Sequence, residues 1–114
     1  MANPWAGEAE IVIGGVPHVA RLTLGALAEL EEALGEGGLV GLVERFESGR
    51  FSARDVLRLL AAGLRGGGWT GTEADLARAE IAGGVIEASR TAARLLALAF
   101  RMPEAPDAGS TGRG

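Results

Sequence analysis

The chain has no cysteine. That excludes disulfides and thiolate metal sites, and it suits a reducing compartment. Lysine and tyrosine are also missing, so all eleven basic residues are arginine. The one histidine, His18, has no sequence support for a Ser-His-Asp or Cys-His set. Positive charge is in deficit, with fifteen acids against eleven arginines and a net charge of −4. A duplex-binding protein usually carries a basic surplus to neutralise phosphates. Apolar runs are broken by arginine or glutamate well before the roughly 18 residues a membrane span needs. The opening MANPWAGEAE has neither a basic n-region nor an apolar h-region, so no secretory signal is expected.

What is present is the material of one α+β domain. The 114 residues are 47% hydrophobic, enough for a core without staples and slightly more than the polar faces hide. The expected architecture is an N-terminal two-stranded antiparallel hairpin packed on a bundle of about five α-helices. It spans residues 1–102, and a disordered polar tail covers 103–114, PEAPDAGSTGRG, too poor in apolar residues to offset its ordering entropy.

The organising stretch is Glu8 to Gly35. Alternating residues on either side of Gly14-Gly15 predict strands over Glu8–Ile13 and Val16–Leu22 joined by a two-residue turn. That register pairs Ile13 with Val16, Ile11 with His18 and Ala9 with Ala20, all on the face that must rest on helices. Pro17 falls at a non-hydrogen-bonded position, so the outer side of the second strand is expected to be a sheet edge. Trp5, in the arm before the hairpin, either folds back onto the domain or docks into a partner.

Thr23 is a predicted N-cap for a helix over Leu24–Leu34, with Leu24, Leu27, Leu30 and Leu34 as its inward stripe and Gly35 as a left-handed stop. A second helix is expected over Leu39–Glu47. Ser52 and Asp55 have capping-box spacing at the head of a third, and Thr72 and Asp75 repeat it for a fourth reaching about Ala82. The last helix is expected from Val85 to Met102. Its inward stripe is read as Val85, Ile86, Ser89, Ala92, Ala93, Leu96, Ala99 and Phe100.

No catalytic, cofactor or metal site emerges. Glu29, Glu31 and Glu32 read as a solvated helix face. The run Gly63–Gly68 lacks the Gly-Lys-Ser/Thr of a phosphate loop and follows a helix rather than a strand, so it reads as a helix stop. Ser52 to Ala82 has the outline of a helix-turn-helix, with too long a loop and an acidic second helix. A partner surface is expected on the last helix, whose leucines occupy more than one side. Leu95 and Leu98, rimmed by Arg94 and Arg101, either meet another chain or are covered by the third helix within the monomer.

Gly7-Glu8, the segment Leu22 to Glu31 (LTLGALAELE), Phe51-Ser52 with Asp55, Leu59 to Gly68 (LLAAGLRGGG) and the Ala/Leu-rich stretch Ala92 to Phe100 together resemble a small phage-tail family. It is the tail assembly chaperone, or tail-tube-associated, family of alphaproteobacterial gene transfer agents. The resemblance covers roughly residues 3 to 102, with Ala6 where an arginine is expected. It implies a non-enzymatic protein that binds the tape-measure protein, keeps it soluble and assists tail tube formation. A permanent tail subunit and, further off, a small helix-turn-helix regulator are the alternatives. The implied partners are the tape-measure and tail tube proteins, with a homo-oligomer possible and no nucleic acid, membrane, cofactor or small-molecule substrate. The implied location is the cytoplasmic assembly site or the particle itself.

Overall fold

A computed structural model describes residues 2–100. The expected tail and Arg101 lie outside the described residues. The order is a 3₁₀ turn (Pro4–Ala6), β1 (Glu8–Ile13), β2 (Val16–Arg21), α1 (Leu24–Leu34), α2 (Gly38–Ser48), α3 (Ala53–Gly66), α4 (Glu73–Ala77) and α5 (Gly84–Ala99). It is an α+β arrangement of a two-stranded antiparallel hairpin and five helices.

The register follows from the Gly-Gly turn. Glu8 faces Arg21, Ile11 faces His18 and Ile13 faces Val16. Gly14 and Gly15 take φ of 57° and 82°, which side-chain-bearing residues rarely adopt. The inward face is buried at its base by Ala9, Ile11, Ala20 and Leu22, while Val16 at the turn is 54% exposed. The tip of β1 is braced from outside. Gly14 N donates to Glu80 O and Ala82 N to Val12 O, making an Ile13–Ile81 bridge. This bridge takes the place of the last turn expected of the fourth helix, which stops at Ala77.

α3 is the central helix, packed on β2, α1, α4 and α5. Leu59, Leu60, Ala61, Ala62 and Leu64 are all at or below 1% exposure. The capping box forms as expected: Asp55 N donates to Ser52 Oγ and Ser52 N to Asp55 Oδ2. At the other end the glycines do more than stop the helix. A Cβ on Gly66 or Gly67 would overlap the carbonyl oxygens of Arg21 and Val19. Both carbonyls lie on the side of β2 that faces away from β1. The outer side of β2 is a sheet edge, as expected, and the helix end covers it where only a residue without a side chain fits.

α2 is tied to α3 by polar and aromatic contacts. Arg45 donates from Nε and Nη2 to the two Asp55 oxygens, both at 2.8 Å. Phe46 stacks on Phe51 with ring centroids 4.5 Å apart. The Arg45 guanidinium, opposed by burial and aided by the Ser52 hydrogen bonds, holds the Asp55 carboxyl below the usual carboxylate range.

Two helix faces differ from expectation. On α1, Thr23 caps Ala26 N as predicted, but Leu24 is 84% exposed and the buried residues are Ala26 and Leu30. Gly35 has φ of 69° with ψ of −135°, so it is not a left-handed helical stop. On α5 the buried face is turned by about 80° from the expected stripe, with Ala92 and Leu96 common to both. Ala88, Thr91, Ala92, Leu95 and Leu96 are buried. Val85 and Ile86, expected inside, are 81% and 72% exposed.

Candidate partner-docking surface

Alanine, leucine and arginine make α5 a strong helix former. Its 16 residues extend about 24 Å. Its inner side meets α3 closely: a Cβ on Gly63 would sit 2.8 Å from Leu95 Cδ1. Leu95 is therefore a core residue with no exposed surface, and its expected place at an interface is corrected. The third helix covers that side within the monomer.

The opposite side of α5 is also apolar, and no described element covers it. Ile86, Ala93, Ala97 and Phe100 fall within about 60° of one another around the helix. All four are exposed. A water-facing helix surface would normally carry charge here. Charge appears along one flank, at Arg90, Arg94 and Glu87, turned about 60°, 100° and 120° from Ala93. Arg90 reaches Glu87 at 3.4 Å, an exposed pair of small energetic value.

Two apolar grooves open beside this surface. The larger, about 500 Å³, lies between α3, α4 and the start of α5, lined by Phe51, Leu57, Leu60, Leu76, Ile81 and Val85 among others. The smaller, about 340 Å³, lies between α2 and the end of α5, lined by Val43, Phe46, Ala93, Leu96, Ala97 and Phe100 with Glu47. The stacked Phe46 and Phe51 belong one to each groove and join their walls. Grooves of this size and apolar lining are large enough to receive bulky side chains.

Leu98 is half-buried and Arg94 exposed, while Arg101 lies outside the described residues. Trp5 is 89% exposed, held in a short turn whose Asn3 Oδ1 accepts from Trp5 N. Its ring is not folded into the core. Ala2, Pro4, Glu8, Glu10, Arg90 and Arg94 line one hollow of about 300 Å³, so the N-terminal arm and the arginine flank of α5 are neighbours. The stripe expected from sequence put Ile86 and Phe100 inside, and both are surface residues. A signal was available in the position of the arginines, since Arg90 and Arg94 mark the wet flank.

His18 is half-buried in β2 opposite Ile11. Among the described residues no group of three or more His, Cys, Asp or Glu is placed to hold a metal ion. No helix among them is long and apolar enough to cross a membrane.

A family model described as phage tail tube protein, GTA-gp10, matches residues 6–102. No curated protein and no solved structure matches the chain.

Proposed function

From the premise that the chain belongs to the phage tail tube protein family GTA-gp10, we propose that it acts as a tail assembly chaperone of a gene transfer agent. In this reading it binds the tape-measure protein and assists formation of the tail tube. It carries out no chemical reaction and works at the assembly site in the cytoplasm. The single observation that supports a chaperone is the uncovered apolar side of α5, flanked by two grooves, in a domain whose core is otherwise complete. Such a surface lowers solubility unless another chain covers it. An amphipathic helix is the natural complement, since its apolar stripe lies in a groove between helices.

A permanent tail component is the second reading, favoured by the family description itself, which names a tube protein. A DNA-binding regulator has less support. α4 would be the second helix of that motif, and it has five residues with Glu73 and Asp75 in its first turn.

Quantitative mass spectrometry of purified particles beside the producing-cell lysate separates the readings. A chaperone co-purifies with tape-measure fragments from the lysate and is absent from finished particles. A fixed stoichiometry in finished particles would sink the chaperone and establish the structural subunit.

A further inference from the structure

The uncovered side of α5 constrains its occupant more narrowly than apolarity alone. Three observations bear on it. Small residues, Ser89, Ala93 and Ala97, lie along the middle of the exposed side, where a helix backbone can approach closely. The two grooves meet α5 at its ends, around Val85 to Ser89 and around Ala93 to Phe100, with centres about 15 Å apart at helical rise. One flank carries both arginines of the described helix, Arg90 and Arg94, with Glu87 one turn before Arg90. Arg90 makes only the weak exposed contact with Glu87, and Arg94 has no ion pair among the described residues.

Resting on the chaperone reading, we propose that this surface binds one amphipathic helix with an acidic flank. Two bulky apolar side chains about three turns apart, at i and i+11, fill the two grooves. That spacing returns to the same side of a helix after about 16 Å. Small residues between them face Ala93, and the acidic flank lies along Arg90 and Arg94. Opposite charges along the rim select orientation and partner more than they add affinity. A second copy of this chain fits poorly in the antiparallel, two-fold arrangement. That symmetry sets the two arginine flanks side by side, with Arg94 next to its own mate.

The test uses two fluorescent 18-residue helical peptides. Both carry leucine at positions 4 and 15 and alanine between them on the same face. One has glutamate along the flank and the other lysine. Anisotropy titrations are run against the full chain, against Ala93→Glu, and against the double variant Arg90→Glu/Arg94→Glu. All three substitutions are at exposed positions, and thermal melts check that the variants stay folded. The wild type should bind the glutamate peptide at least tenfold more tightly than the lysine peptide. The double variant should reverse that order, and Ala93→Glu should lose both. Equal binding of the two peptides by the wild type, or undiminished binding by Ala93→Glu, would overturn the proposal. So would a wild-type dimer in size-exclusion runs that Ala93→Glu converts to monomer, because a second copy would then be the occupant.

Co-purification with tape-measure fragments is scored separately. If fragments bind the wild type and Ala93→Glu equally, this surface assignment fails while the chaperone reading stands. If the glutamate peptide binds as expected but no fragment is retained, the chaperone reading fails while the surface stands.

Discussion

α3 and α5 are the two longest helices, built from much the same residues: leucine, alanine, glycine and arginine. They are used differently. α3 is enclosed by the hairpin and three other helices, and its terminal glycines admit the strand edge. It starts with a capping box whose Asp55 also receives Arg45. α5 starts from Gly83 with no side-chain cap and gives only one of its two apolar sides to the core. A central helix can be apolar nearly all round because its own chain covers it. An outer helix with two apolar sides is half finished, and the remainder is work for another chain.

The contrast is sharpest inside the core. Leu59 on α3 and Leu95 on α5 both have 0% exposure. Truncating either to alanine should cost about 2–5 kcal/mol, a large fraction of the roughly 5–15 kcal/mol that stabilises a domain this size. Urea denaturation of each variant checks this, and a Leu95→Ala variant as stable as the parent would return Leu95 to the surface.

The anchoring of α2 on α3 should show a smaller effect with its own pH signature. Arg45→Ala leaves the buried Asp55 carboxylate without its cation. The cost should be about 2 kcal/mol near neutral pH, below that of a fully buried pair because Arg45 is partly solvated. Asp55 has a folded pKa below its unfolded value, so its contribution is present above the ordinary carboxylate range. It should fall away as pH drops through the depressed folded value. Melting curves of the wild type should therefore decline on acidification more steeply than those of Asp55→Asn. Parallel curves would show that the pair adds nothing.

The smallest effect belongs to the outer side of α5. Ile86→Ser should change stability by no more than about 0.5 kcal/mol, since the side chain is already 72% exposed. It should raise the solubility limit instead. A loss of several kcal/mol would erase the distinction between the two helices and show that Ile86 is part of the monomer's core.

The hairpin was readable residue by residue because its cues are local. A Gly-Gly turn between alternating strands leaves one register that puts Ile11 and Ala20 on the same face, and that register is the one observed. The candidate surface was readable only in part. The last helix was expected to have more apolar sides than a monomer covers, and it does, but whether Leu95 met another chain or the third helix was left open, and Ile86 was expected inside. A helix with two apolar stripes carries no phase of its own. α1 shows the same weakness, with Leu24 outside and Ala26 inside.

What the sequence by itself determined are the features closed within a few residues: the turn, the strand pairing, the Thr23 cap and the two capping boxes. Each needs only hydrogen bonds between near neighbours, so residue type and spacing suffice. The tertiary structure decided which side of α5 faces α3, how Gly66 and Gly67 cover the β2 edge, and that Arg45 finds Asp55. Those choices depend on surfaces brought together from distant parts of the chain. Gly63 opens room for Leu95 from more than thirty residues away, and nothing in the spacing within either helix records that they meet.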